Sequence, residues 1–283
     1  MPNLQLGLIG DNIVRSKAPL LHRLAGELTG IGVRYDRLIP KALGKDFDAV
    51  FESCISGGFR GINVTYPYKE RVVPKVRIED PLVRALGAVN TVVFDPDGAR
   101  GHNTDHSGFI AAYRNIAGGA APGVVCMVGA GGVGKAVAFG LVALGLEELR
   151  LVECDLPKAE ALAAALRAED KKLRVTVTGD PAAGASGARG LINCTPVGMV
   201  GYGGTPVPRE LMKGASWVFD AVYTPIDTPF LNDAQAEGLT IISGYELFFY
   251  QGLHAWEIFS GTPIEEAALR RALAEADTVD ATG

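Results

Sequence analysis

Val124-Val-Cys-Met-Val128-Gly129-Ala130-Gly131-Gly132-Val133-Gly134-Lys135 is an apolar run that breaks into glycines, and its reading decides the fold. Five apolar residues in a row fit a strand buried on both faces, and the G-x-G-x-x-G after them opens a predicted helix over Lys135–Leu144. In a chain with 36 glycines among 283 residues the glycine pattern alone is a weak signal. Its context strengthens it: a strand precedes it, a helix follows, and Glu153 lies about 20 residues on, at the end of the next predicted strand. Gly129 permits the tight turn, Gly131 lets the backbone approach a pyrophosphate, and Gly134 lets helix and strand pack closely. The unpaired N–H groups of the helix start then attract the phosphates, so the stretch predicts a dinucleotide site.

Working outward, the same alternation continues on both sides. Downstream, strands are predicted at Leu149–Val152, Leu173–Thr178, Gly190–Asn193, Trp217–Val222 and Thr240–Ile242, with a helix over Lys158–Arg167. Upstream, strands at Leu4–Ile9, Arg34–Ile39 and Ile62–Thr65 alternate with helices at Pro19–Leu28 and Phe47–Ile55. That β-α-β-α-β order implies a parallel sheet with right-handed crossovers. Val89–Phe94 and Ala99–Asn103, joined by Asp95-Pro96-Asp97-Gly98, read as an antiparallel hairpin. A helix over Gly108–Ile116 leads into the breaker-rich Ala117–Gly123 stretch. Two final helices, Glu246–Phe259 and Ile264–Ala276, are expected to pack back on the first domain. The expectation is therefore an α/β protein of two domains. Residues 1–107, completed by 246–283, form a substrate domain, and residues 108–245 form a Rossmann-type dinucleotide domain.

Composition narrows the function. The hydrophobic fraction of 48% is enough for a substantial core, and the net charge of −5 without a basic stripe argues against a nucleic-acid partner. The four cysteines, Cys54, Cys126, Cys154 and Cys194, form no C-x-x-C pair and read as small buried or half-buried side chains. His102 and His106 are four apart but straddle a predicted strand end, so no metal site is expected. The first residues lack a signal-peptide pattern and no run approaches a membrane span, which predicts a cytoplasmic protein without a membrane partner. Glu153 and Asp155 place two carboxylates where the adenosine ribose would lie. They favour NAD over NADP, because a carboxylate accepts ribose hydroxyls and repels a 2′-phosphate; Lys135 and Lys158 soften that preference.

Polar residues also gather where strands of the first domain should end, the place where parallel α/β sheets bind ligands. One segment is Gly61-Ile-Asn63-Val-Thr65-Tyr-Pro67-Tyr-Lys69, another is Gly87-Ala-Val-Asn90-Thr91, and a third is Gly101-His-Asn103-Thr-Asp105-His-Ser-Gly108. With Asn193-Cys-Thr195-Pro196-Val-Gly-Met199, Asp220-Ala-Val222-Tyr223-Thr-Pro225 and Gly244–Gln251, these blocks appear in an order that closely resembles the shikimate dehydrogenase family over nearly the whole chain. The resemblance implies reversible NAD(P)-dependent oxidation of a ring hydroxyl of shikimate or quinate to the 3-dehydro ketone, a step of the shikimate pathway to aromatic amino acids. It implies a Lys69–Asp105 pair that handles the proton. Asn63, Thr65, Asn90 and Gln251 would hold ring hydroxyls, Ser16 and its loop the carboxylate, and Tyr223 would lie near the nicotinamide. Dinucleotide contacts would come from Gly129 through Gly134, including Ala130, Gly132 and Val133, and from Glu153, Asp155, Lys158, Asn193, Thr195, Pro196, Met199, Val222 and Gly244.

The chemistry supports these residue types on its own terms, since hydride loss from a secondary alcohol needs a group to take the O–H proton. Read singly, Lys69 is a solvated lysine and Asp105 a helix cap; the ordered blocks argue for the functional reading.

The chain departs from the family at one point. The carboxylate loop, usually Ser-x-Ser-Pro, reads Ser16-Lys17-Ala18-Pro19, so position 18 has no hydroxyl. Arg15, Lys17, Tyr245 or a water are the candidates to compensate, and space beside Ala18 would admit the extra hydroxyl of quinate. Other readings are an amino-substituted shikimate as substrate, a catalytically silent dinucleotide-binding regulator, or a folate-type methylene dehydrogenase. The intact Lys69 and Asp105 argue against the regulator, and Asn90, Asp105 and Gln251 against the folate enzyme. The sequence leaves the oligomeric state open, a homodimer included.

Overall fold

In the first compact unit of the computed structural model, which describes residues 3–280, apolar strands meet the polar ends that carry the motifs. This unit runs up to Thr104 and is completed from Gly252 onward, while the second spans Asp105–Gln251. The expected domain limits at residues 1 and 283 lie outside the described residues.

The first unit's elements begin with β1 (Asn3–Ile9), α1 (Ala18–Thr29), β2 (Gly32–Leu38), α2 (Phe47–Ser56) and β3 (Gly61–Val64). A short α3 (Pro81–Leu86) precedes β4 (Thr91–Asp95) and β5 (Gly98–His102). The sheet order is β2-β1-β3-β4-β5, parallel from β2 to β3 and antiparallel through the β4–β5 hairpin. The parallel part expected from the β-α-β-α-β order and the expected antiparallel hairpin thus share one sheet, because the tight Asp95–Gly98 turn allows only an antiparallel return. One face is packed by Phe47, Val50, Phe51 and Cys54 of α2 against Ile9, Ile62, Val64 and Val92. The other carries Leu6, Val93, Ala255 and Phe259, so the end of the chain does pack on this unit.

The second unit holds β6 (Val124–Val128), α5 (Gly132–Ala143), β7 (Glu148–Val152), α6 (Leu156–Glu169), β8 (Arg174–Thr178), α7 (Pro181–Ala185), β9 (Gly190–Asn193), β10 (Trp217–Asp220), α8 (Pro229–Ala236) and β11 (Thr240–Ile242). Its six strands are all parallel in the order β8-β7-β6-β9-β10-β11, the doubly wound dinucleotide-binding arrangement. The topological switch point lies between β6 and β9, where the glycine turn and the Asn193 segment both emerge.

Helix α4 (Thr104–Ala117) begins four residues before its expected start, because Gly108 is accommodated inside it rather than ending it. A Cβ at Gly108 would stand 2.7 Å from the Gln251 nitrogen, so the glycine lets α4 lie against α9 (Gly244–Ser260). Helix α10 (Glu266–Asp280) closes the described chain. The helices α3, α7 and α8 carry too few turns to show a period and are absent from the sequence expectation. No helix among the described residues is long and apolar enough to cross a membrane.

One buried base ties packing to pH. His22 of α1 is 1% exposed, stacks on Tyr35 at 4.9 Å between ring centroids, and lies 5.6 Å from Phe259. Its Nδ1 has no hydrogen-bond partner. Burial drives its pKa from the usual 6.5 down to about 3, with a smaller opposing contribution from the Asn63 side chain. The unfolded chain therefore takes up a proton that the folded chain refuses. Stability is complete above pH 6.5 and falls as the pH drops towards 3, by at most about 5 kcal/mol from this group. Thermal melts of wild type and His22→Phe should converge near neutrality and separate between pH 6 and 4, with wild type losing more; parallel curves would contradict this account.

Candidate active site

Asn63 is the penultimate residue of the buried strand β3, 6% exposed, and its amide is held on both sides. The Tyr35 hydroxyl donates to its Oδ1 at 2.8 Å, and its Nδ2 donates to Thr91 Oγ1 at 3.0 Å and to the Asn90 carbonyl at 3.3 Å. Thr65 follows directly, its N–H bonded to the Ile9 carbonyl at 2.9 Å, so β1 and β3 end side by side.

Asn90 is the junction of this unit. At 3% exposure it donates through Nδ2 to Thr104 Oγ1 at 3.0 Å and accepts at Oδ1 from Thr104 N at 2.7 Å. Thr91 Oγ1 also donates to Oδ1, at 3.1 Å. Immediately before it, Val89 N donates to the Lys69 carbonyl at 2.8 Å. Three residues, 89 to 91, thereby fix the backbone of Lys69 and the entrance to α4, whose next residue is Asp105. Asp105 is itself 6% exposed, in the first turn of that helix rather than capping it. In the second unit, the Gly108 approach sets Gln251 beside the same helix, and Gln251 Nε2 donates to the Phe248 carbonyl at 3.0 Å. Tyr223 stacks on Phe248 at 5.2 Å.

In the loop before α1, Ser16 Oγ accepts from Ala18 N at 3.2 Å. Ala18 is 9% exposed, and its methyl joins an apolar cluster with Leu8 and Ile13. The methyl at position 18 therefore packs inward, next to Ser16.

The glycine turn fits a dinucleotide. Gly129 has φ +102°, and a Cβ there would lie 2.8 Å from both the Cys194 carbonyl oxygen and the Thr195 side chain. The turn after β6 and the Asn193–Met199 segment after β9 therefore touch at the switch point. Gly131 caps α5, and only the Lys158 Nζ, at 3.9 Å, comes near the position of an added Cβ, leaving its backbone open. Gly132, Val133 and Gly134 form the first turn of α5, three residues ahead of its expected start, because the glycine turn is itself helical from Gly132.

Glu153 faces this turn. It accepts from Ala130 N at 2.9 Å and Cys154 N at 2.9 Å, and the Lys158 ammonium lies 3.7 Å away. Burial raises its carboxyl pKa, but the Ala130 N–H, the Cys154 side chain, the Asp155 N–H and Lys158 outweigh it and hold the value at about 2. Asp155 caps α6 through Lys158 N. Asn193 is fully buried and donates to Asp220 Oδ1 at 2.9 Å and to the Val197 carbonyl at 2.9 Å, while Thr195 N donates to its Oδ1 at 3.0 Å. Its side chain thus shapes the loop of Thr195, Pro196 and Met199 from beneath. Asp220 accepts additionally from Val222 N and Thr228 Oγ1, and burial pushes its pKa up. Gly244 packs on the same segment, an added Cβ meeting the Val222 carbonyl oxygen at 2.4 Å.

Residues 8–92 match the family model described as the shikimate dehydrogenase substrate binding domain. Over 267 residues the chain is 37% identical to the quinate/shikimate dehydrogenase (NAD(+)) of Corynebacterium efficiens, covering 92% of this chain and 93% of that protein. The chain belongs to the shikimate dehydrogenase family. A shikimate dehydrogenase (NADP(+)) of Pseudarthrobacter chlorophenolicus is likewise 37% identical, over 94% of this chain and 92% of its own length. Among solved structures, the quinate dehydrogenase from Corynebacterium glutamicum in complex with NAD superposes with a TM-score of 0.89 at 34% identity, covering 97% of this chain and 100% of that one. The two-domain architecture expected from the sequence is that of this oxidoreductase family.

Sequence reading gave no role to Tyr35, Arg37, Thr91 or Thr104. Thr91 and Thr104 lie inside the quoted motifs, so their neighbours were a signal. Tyr35 and Arg37 sit on a polar strand with no local cue. The glycine turn supplies the test of the dinucleotide reading: a Cβ at Gly134 would lie 2.4 Å from the Gly129 carbonyl oxygen, a backbone atom with little room to move. Gly134→Ala should weaken dinucleotide binding at least about tenfold in a fluorescence titration, and an unchanged Kd would contradict the site.

Proposed function

We propose that this protein catalyses the reversible oxidation of a ring hydroxyl of quinate or shikimate to the 3-dehydro ketone, with NAD preferred over NADP. The observation that carries the reading is the hydrogen-bonded segment Val89–Thr91, which fixes both the Lys69 backbone and the residue before Asp105. Catalytic groups have to be held within fractions of an ångström, and such a buried network is how a fold achieves it.

A nicotinamide dinucleotide, when bound, accepts the hydride from the carbinol carbon. Gly129–Gly134, whose last three residues open α5, would hold its pyrophosphate, and Glu153 would hold its adenosine ribose. Lys69 takes the hydroxyl proton as the carbonyl forms, and in the reverse direction protonates the developing alkoxide. Asp105 orients the ammonium and balances its charge. Asn63, Thr65, Asn90 and Gln251 orient the ring hydroxyls, and Ser16 receives the carboxylate. Asn63 is fitted to the task because Tyr35 and Thr91 fix which end of its amide is oxygen.

Preference for NAD rests on Glu153, which stays ionised at any working pH with its pKa near 2. A 2′-phosphate would be set against that carboxylate, with Lys158 as the partial counterweight. Glu153 must exchange part of its present set of N–H partners to reach ribose hydroxyls, so the discrimination comes as much from repulsion as from attraction.

Two measurements test the reading. Initial rates at 340 nm with quinate and shikimate should give a higher kcat/KM with NAD than with NADP; a strong preference for shikimate with NADP would overturn the cofactor and substrate assignment. Lys69→Ala should lower kcat by about 100-fold or more with dinucleotide affinity retained, as loss of a general acid–base does. Near-intact turnover in that variant would remove Lys69 from the mechanism.

A further inference from the structure

Arg37 stands at the end of β2 with its guanidinium on the carboxylate loop: Nη2 donates to the Ser16 carbonyl at 2.7 Å. Its surroundings leave its charge unmatched. Asp36, the preceding residue, points to the opposite face of the strand, where Gln5 Nε2 at 2.8 Å and Arg34 Nε at 3.2 Å occupy it. No carboxylate among the described residues pairs with Arg37. Tyr35 shares the Arg37 face of the strand, and its hydroxyl ends on Asn63. One face of β2 therefore reaches two residues that the family resemblance assigns to substrate, Asn63 through Tyr35 and Ser16 through Arg37.

The loop itself leaves a deficit. Ser16 Oγ accepts from Ala18 N, so its hydroxyl offers a single O–H donor. Position 18 contributes only a methyl, 9% exposed and packed with Leu8 and Ile13. A carboxylate arriving at Ser16 thus finds one hydroxyl rather than two. A guanidinium carries five N–H donors in a planar fork suited to carboxylate, and one bond to a carbonyl anchors the fork without exhausting it.

We propose that Arg37 is a specificity-determining residue that binds the carboxylate of the cyclic hydroxy acid, supplying the charge-assisted hydrogen bond that position 18 lacks. The proposal rests on the function proposed above and deepens it. It places the selectivity for an acid over a neutral polyol on β2, outside the loop in which the sequence sought it.

The test compares quinate and shikimate with their uncharged methyl esters, in wild type, Arg37→Met and Arg37→Lys. Arg37→Met should raise KM for the acids about 10- to 100-fold, the loss of a hydrogen bond to a charged group, and leave kcat within about threefold. KM for the esters should stay unchanged in the same variant, so that the preference for acid over ester collapses. Arg37→Lys should recover part of the acid preference, because charge is restored without the fork. Equal shifts for acid and ester, or no shift for the acid, would overturn the role of Arg37 while leaving the dehydrogenase assignment standing. Failure of wild type to oxidise either acid would overturn both.

Discussion

A single amide holds the substrate unit together at its functional end. Asn90 donates to Thr104 Oγ1 and accepts from Thr104 N and Thr91 Oγ1, all while 3% exposed. A buried amide leaves little tolerance: each unmet donor or acceptor costs about 1–3 kcal/mol, so the three segments that meet at Asn90 are held in one register. The neighbouring bond from Val89 N to the Lys69 carbonyl extends that register to the turn after β3 that carries Lys69.

The second unit solves a similar problem with different parts. Asp220, Asn193 and Thr228 form a buried set that ties the ends of β9 and β10 beside the glycine turn. Removing any member strands the others, which makes the switch point rigid beside the glycine turn. Glu153 is more accessible, and its dense ring of N–H partners keeps it charged. In the first unit the buried side chains fix the segments around Lys69 and Thr104; in the second they fix the loops beside the glycine turn.

The dinucleotide half was largely legible in the sequence because its signals are local. Apolar strands, a glycine turn and an acid one strand later all fall within a short window, and β6, β9 and β11 have the limits expected of them. The substrate half was legible through motifs but not through contacts. Tyr35 and Arg37 lie on a strand whose partners are far along the chain, Asn63 and Ser16, and no spacing rule connects residues 35 and 63. Ala18 shows the same limit from the other side: its missing hydroxyl was visible, whereas its burial against Leu8 and Ile13, and the guanidinium that reaches the loop from β2, depend on tertiary packing. The early start of α4 at Thr104 followed from a glycine that reads as a breaker and acts as a close-packing position against Gln251.

The most direct test of the central claim is the turnover number of Asn90→Ala at saturating hydroxy acid and dinucleotide. If Asn90 organises the catalytic segments, kcat should fall about 100-fold or more even at saturation, because misplacing reacting groups is not repaired by occupancy. Turnover within a factor of about two of wild type, with only KM raised, would mean that Asn90 contributes uniform binding alone and that the network around it does not set the catalytic geometry.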